Sequence, residues 1–324
     1  MTDRILLILA LGALTACGEP APAPQDAPPP PEPILMDDRD ADDVARADEM
    51  AGEAAMSDGD QALAALEAAV ASDIRTAENK QRDAFRNPVE TLAFFGVEPD
   101  DTVVEIWPGR GWYTEILAPY IAQGGGTYYA AGFDPMSNSQ FFQNAITGFQ
   151  TNFVERPDAF GDIKVSVLSQ ANQEIAPPAS ADVVLTFRNV HNFEMGGWTA
   201  QAFAAFYEAL KPGGTLGIVD HRLPEQADSM AEKTSGYVKM STVRQYAEDA
   251  GFVFDGASEV NANPNDDADH PFGVWTLPPI SRLTDQNGES PDGFDAAQYV
   301  AIGESDRMTV RFKKPLAPEE ALLE

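Results

Sequence analysis

Val103-Val104-Glu105-Ile106-Trp107-Pro108-Gly109-Arg110-Gly111-Trp112-Tyr113-Thr114 is the stretch whose reading decides the fold of this chain. A β-branched run ends on a carboxylate. A Pro-Gly-x-Gly turn follows, and then a segment, Tyr113–Ile121, with the apolar spacing of an amphipathic helix. Strand, glycine turn and helix together make the geometry of a nucleotide site in a doubly wound sheet. Glycines let the backbone come close to a ligand, and the helix N-terminus presents free N–H groups beside it.

Strand and helix signals alternate downstream of this turn. Gly124-Gly125-Gly126 leads into a second strand, Thr127–Ala131, which ends at Gly132-Phe133-Asp134-Pro135. Asp134 stands 23 residues after Gly111, the distance at which an acid meets ribose hydroxyls. Ile163–Leu168 reads as a third strand. Asp182–Phe187 reads as a fourth, apolar after its first residue and so buried on both faces. A helix over Trp198–Leu210, a Lys211-Pro212-Gly213-Gly214 turn and a fifth strand, Thr215–Asp220, follow. A helix over Met240–Ala250, a sixth strand, Phe252–Val260, and a last one, Met308–Phe312, complete an α/β sheet. Upstream, Leu63, Leu66, Val70 and Ile74 fall at steps of three and four, which predicts one helix over Leu63–Arg82. Pro88 opens the next helix, through Phe95, and Gly96 ends it.

The chain has 324 residues, a formal net charge of −31 and a single cysteine. Such an acidic balance argues against a nucleic-acid partner, because phosphates are repelled. One cysteine excludes a disulfide within the chain. That cysteine closes Leu14-Thr15-Ala16-Cys17, after Arg4 and the apolar run Ile5–Leu14, in the pattern of a bacterial lipoprotein signal over residues 1–17. This reading expects a lipid on Cys17, a membrane anchor and a place in the cell envelope facing the periplasm. Residues 18–60 are Pro/Ala-rich and then acidic and read as a tether. The folded domain is expected over residues 61–324, as a monomer.

Glu105-Ile106-Trp107-Pro108-Gly109-Arg110-Gly111, Asp134, Asp182-Val183-Val184 and Leu210-Lys211-Pro212-Gly213-Gly214 together resemble the class I S-adenosylmethionine-dependent methyltransferases. A closer resemblance is to a family of bacterial predicted methyltransferases that share Arg-Asp-Ala-Phe-Arg, here Arg82 to Arg86, and Trp-Tyr-Thr-x-x-Leu-Ala-Pro-Tyr, here Trp112 to Tyr120. The fold implied is a doubly wound, Rossmann-like α/β sheet of seven strands, the last antiparallel. The cofactor implied is S-adenosylmethionine, at the carboxyl ends of strands one, two and four. In that resemblance Pro108, Gly109 and Gly111 close on its methionine part. Glu105 orients the turn and the amino group, Asp134 holds the ribose, and Phe187 borders the transferring methyl. Trp107 stands where most relatives carry glycine. The acid usual after strand three is replaced by the neutral Ser169-Gln170-Ala171-Asn172.

Methyl transfer asks the protein mainly for alignment, and for a base where the nucleophile carries a proton. Asn189 and His191 lie at the mouth of strand four and His221 at the end of strand five, so these three are the catalytic candidates on the side of a small-molecule acceptor. Asp220 and His221 are neighbours in a strand and point to opposite faces. No spacing of His221 and His270 with Asp266, Asp267 or Asp269 supports a metal set, and none is expected. The connection Asn261–Asp306 is longer than an ordinary loop and reads as a cover or acceptor site, with Trp275 as its anchor. Two rival readings remain: a dinucleotide oxidoreductase, opposed by Thr114 in the third glycine's place, and a non-catalytic envelope protein that keeps the fold and binds a ligand or a partner.

Overall fold

The structure is a computed structural model and describes residues 57–316. The signal over residues 1–17, Cys17 and nearly all of the expected tether lie outside the described residues. The first described helix begins slightly before the expected boundary at Gln61. It is α1, Asp58–Ala71, and the Ser57 side chain caps it by accepting from the Asp60 N–H at 3.2 Å.

The single helix expected over Leu63–Arg82 is three helices: α1, α2 (Ala77–Lys80) and α3 (Asp83–Arg86). Ser72 ends the first, and Thr76 starts the second by accepting from Asn79 N–H at 3.2 Å. Local caps override the apolar spacing. The buried face of α1 is Ala62, Leu66 and Ala69, while Leu63 is exposed. Helix α4, Pro88–Phe95, runs as expected from Pro88 to a left-handed Gly96.

Seven strands form the sheet: β1 (Thr102–Ile106), β2 (Thr127–Gly132), β3 (Lys164–Val167), β4 (Ala181–Phe187), β5 (Leu210–His221), β6 (Val253–Ser258) and β7 (Arg307–Lys313). Their spatial order is β3-β2-β1-β4-β5-β7-β6. The pairs β1–β2, β1–β4, β2–β3 and β4–β5 are parallel, and β7 is antiparallel to both neighbours. This is the doubly wound sheet of the class I methyltransferase fold, with its reversed last strand.

Helices α5 (Thr114–Gly124), α6 (Gln140–Phe149), α7 (Pro157–Phe160), α8 (Val190–Gly196), α9 (Thr199–Ala209) and α10 (Met240–Asp249) follow the strands in turn. A last helix, α11 (Ala296–Ile302), lies in the connection before β7. Period-two alternation sends Val103, Val183 and Leu185 into one core with Leu92, Phe95, Leu117 and Ile121. It sends Val104, Ile106 and Val184 into the other, with Phe193, Phe203 and Phe206. Both faces are dry, which explains why the strands read as unbroken apolar runs.

The Lys211-Pro212-Gly213-Gly214 turn is a bulge within β5. Ala181 pairs with Leu210, but Val183 pairs with Thr215. Asp182 secures it, accepting from Lys211 Nζ at 2.7 Å and from Thr102 N–H at 2.8 Å. This turn lies at the amino ends of the parallel strands, away from the glycine turn, so its part in the resemblance is architectural. Among the described residues no helix is long and apolar enough to cross a membrane.

Candidate functional site

Because β1, β2, β4 and β5 are parallel, their carboxyl ends share one edge. Two regions lie along it, one at β1–β3 and one at β4, β5 and β7.

The first region is the glycine turn. Gly109 has φ of 60°, and a Cβ there would meet only the Trp107 carbonyl, at 3.9 Å, so its backbone is open to a ligand. Gly111 differs. Its φ is 79°, but a Cβ would lie 2.2 Å from the ring of Phe153, and its N–H already donates to the Pro108 carbonyl. Gly111 makes room for an aromatic core residue. Pro108 and Gly109 border an apolar cavity with Gly132, Phe133, Pro135 and Val167.

Glu105 is 2 % exposed. Its Oε2 accepts from the Thr114 hydroxyl at 3.0 Å and from the Tyr128 hydroxyl. Burial, opposed by these two bonds, pushes its carboxyl up to about 7. Glu105 therefore joins β1 to α5 and β2, where the resemblance gave it a cofactor's amino group. Asp134 is half-buried, and its Oδ1 accepts from Met136 N–H at 2.8 Å, the bond of an Asx turn. Oδ2 takes part in no hydrogen bond with a described residue.

Trp107 adopts a left-handed φ of 45°. Its ring packs 4.9 Å from those of Phe133 and Phe193 and 5.7 Å from Trp198. Its Nε1–H donates to the Leu168 carbonyl, just past β3, at 3.0 Å. The indole thus spans from the end of β3 to α8 and satisfies the polar group at the position where an adenine-binding acid was missing. The turn at Gly109 and the free oxygen of Asp134 fit the amino-acid and ribose parts of S-adenosylmethionine. A base entering between Phe133 and Phe193 would have to displace the indole.

The second region starts at Asn189. Its side-chain Nδ2 donates to the Ile106 carbonyl at 2.9 Å, so Asn189 ties the end of β4 to β1 and positions the site. Phe187 stacks on Tyr113, with ring centroids 3.5 Å apart. His191 and His221 are both buried, their rings 5.1 Å apart. The carboxylate that serves them is Asp220, and it turns to His191. Oδ1 lies 2.8 Å from His191 Nδ1, and Oδ2 accepts the His191 backbone N–H at 3.2 Å. A carboxylate only accepts, so Nδ1 carries the proton and Nε2 is left as the acceptor. His221 Nδ1 lies 2.5 Å from Ser305 Oγ. Burial, His191, Arg188, Arg307 and Arg86 all push His221 well below the usual imidazole range, so it is neutral.

The sequence reading quoted Arg82 and Arg86 only as a motif and did not place them, Arg188 or Arg307 around these histidines. Glu304, 4 % exposed, receives Arg82 Nε at 2.7 Å, Arg86 Nε at 3.1 Å and Arg307 Nη1 at 3.2 Å. Burial raises its carboxyl, but Arg86, Arg307, Arg82 and Arg188 outweigh burial and hold it at about 2. The Arg82–Arg86 motif is explained by this: residues four apart on a helical turn reach one carboxylate. Arg188 directly follows β4 with a left-handed φ of 62°. Burial, opposed by Glu304 and aided by Arg307 and Arg82, pushes it down to about 10. The available signal was the Arg82–Arg86 motif, but its partner Glu304 lies 218 residues from Arg86.

His191, Asp220 and His221 offer ligand atoms within 4.8 Å of one another. Burial chiefly keeps His221 uncharged, and the guanidinium charges that add to it also oppose a divalent cation there. Asp266, Asp267 and His270 form a second such group. Asp266 is spent on structure, bonded to His270 Nε2 at 2.8 Å and to Tyr237 and the Asp306 N–H. The connection Asn261–Asp306 reaches the site through Trp275, whose ring lies 6.4 Å from His191.

No family model matches the sequence, and no curated protein matches it. Among solved structures the chain is similar to a SAM-dependent methyltransferase from Aquifex aeolicus, with 21% identity, 56% of this chain and 87% of that one covered, and a TM-score of 0.43. It is similar to an arsenic(III) S-adenosylmethionine methyltransferase from Chlamydomonas reinhardtii, with 13% identity, 78% and 74% covered, and a TM-score of 0.45. A putative sarcosine dimethylglycine methyltransferase from Galdieria sulphuraria shows 13% identity, 71% and 88% coverage, and a TM-score of 0.46.

Proposed function

We propose that the protein is a methyltransferase acting on a small molecule, with S-adenosylmethionine as its cofactor. The observation that carries this reading is one of placement. The open turn at Gly109 and the free carboxylate oxygen of Asp134 stand on the same sheet edge as the Asp220–His191 pair. Bound there, S-adenosylmethionine supplies an already activated methyl group. Gly109 and Asp134 would hold it, and Asn189 keeps the β4 end in register with β1. His191, oriented through Nδ1 by Asp220, takes the acceptor's proton on Nε2. His221, uncharged, leaves that base free of a neighbouring cationic imidazole.

Trp107 favours a second reading, a binding protein that keeps the fold, since its indole takes the space of a base. A thermal shift with S-adenosylhomocysteine, S-adenosylmethionine and NAD separates the two. At 100 times its dissociation constant a ligand adds about 2.7 kcal/mol, or roughly 5 °C for a domain of this size. A shift with S-adenosylhomocysteine supports the methyltransferase, and Asp134→Ala should then weaken it at least tenfold. No shift with any of the three supports the binding protein.

The cell-envelope location rests on the sequence of residues 1–17. Cys17→Ser should abolish lipid attachment and processing, and a processed, membrane-held variant would refute that location.

A further inference from the structure

Four guanidinium groups gather where β4 and β5 end and β7 begins, and their charge is not balanced. Arg82, Arg86 and Arg307 share the one carboxylate of Glu304. Asp220 is engaged by His191 through both oxygens. Arg188 is half-buried; its backbone N–H donates to the Val219 carbonyl at 2.7 Å, but its guanidinium has no hydrogen bond or salt bridge with any described residue. Arg86 is 3 % exposed, and its Nη2 is buried without a partner, as is Nη2 of Arg82. The hydroxyl of Tyr113, a residue 5 % exposed, is also without a partner among the described residues.

Desolvating a cation costs several kcal/mol, which a protein recovers only through a well-placed counter-charge. Here Glu304 alone forms salt bridges with these groups, and Asp220, bonded to His191, acts on Arg188 only through space, although 52 of the 324 residues are Asp or Glu. Arg188 is moreover held in a left-handed conformation that a non-glycine residue adopts at a cost, and such strain concentrates at ligand sites. Planar guanidinium groups with unspent N–H donors match an oxyanion bidentately. Arg188, Arg307 and Arg86 all act on neutral His221, whose ring lies 5.1 Å from that of His191, so an anion held by Arg188 brings its own molecule toward the proposed base.

We infer that Arg188 and Arg86, with the Tyr113 hydroxyl, bind the carboxylate or phosphate group of an anionic small molecule, and that this molecule is the methyl acceptor. The second half of that statement rests on the methyltransferase reading; the anion site itself does not. It makes Arg188 and Arg86 binding residues and leaves proton removal to His191.

The test is a thermal-shift titration with sodium phosphate and with sodium acetate, each against sodium chloride at equal ionic strength. It uses the wild type, Arg188→Met and Arg188→Lys, with circular dichroism as the fold control. S-adenosylhomocysteine is titrated on the same samples. The expected result is a saturable rise of the wild-type midpoint with at least one anion, lost in Arg188→Met and partly kept in Arg188→Lys, which retains the charge. Phosphate acting alone would specify a phosphorylated acceptor, and acetate alone a carboxylic acid. Equal responses of wild type and Arg188→Met to both anions, or no saturable response in the wild type, would overturn the anion site. A preserved anion response without any S-adenosylhomocysteine shift would keep the site and overturn only its assignment to a methyl acceptor.

Discussion

The two regions of the sheet edge handle their polar groups in opposite ways. At the glycine turn nearly every polar group is paired within the protein: Glu105 with Thr114 and Tyr128, the Trp107 N–H with Leu168, and Gly111 with Pro108. Under β4, β5 and β7, polar atoms are unspent: the Arg188 guanidinium, Nη2 of Arg82 and Arg86, and Nε2 of His191. A turn that looks like a ligand site is thus largely consumed by its own packing, while the region without a glycine turn holds the free chemistry. Unpaired buried groups are costly to keep, so they point to function more directly than a glycine pattern does.

The hardest test of this contrast removes the lone counter-charge. Glu304→Ala leaves three buried or half-buried arginines without their carboxylate and should cost about 3–5 kcal/mol in urea unfolding. A loss under about 1 kcal/mol would mean that the arginines are solvated and the contrast overstated.

The next prediction concerns pH in the paired region. The Glu105 carboxyl is raised to about 7 in the folded protein, against about 4.3 in the unfolded chain. Between these values the native state holds a proton that the unfolded state has lost. Stability therefore falls as pH rises through this window. Glu105→Gln removes the effect, so from pH 5 to 8 the wild type should lose about 2–3 kcal/mol relative to the variant. A flat difference would mean that Glu105 stays ionised and that its carboxylate is available to a ligand.

Trp107→Ala probes the base end of the turn. Removing a half-buried indole should cost about 2–3 kcal/mol, yet S-adenosylhomocysteine should bind about tenfold tighter, because its base no longer displaces a side chain. Weaker binding in the variant would make the indole a stacking partner for the base. The smallest effect is expected at Arg188. Arg188→Met, in buffer without phosphate or carboxylate, should gain about 1 kcal/mol, because it removes a desolvated charge that lacks a partner.

The alternation of strands and helices was legible because it depends on local period and turn chemistry, while the reversed last strand was implied by the resemblance to the class I methyltransferases. Val103 and Val104 feed opposite cores, and Gly96 and Gly109 need left-handed backbone. Legibility failed at α1, where Ser72 and Thr76 stop a helix that apolar spacing alone would continue. It did not reach Phe153, whose ring leaves no room for a Cβ at Gly111. His191 and His221 were found as candidates, but their partners were not: Asp220 is 29 residues from His191, and Ser305 is 84 from His221.

The sequence by itself therefore determined the layers and the order of elements, since hydrophobic period and caps act within a few residues. Only the tertiary structure decided which carboxylate serves which imidazole, which arginines share Glu304 and which one is left over. Those pairings join residues remote along the chain. Their energies depend on burial and on the charges facing them, and neither is defined until the sheet has closed.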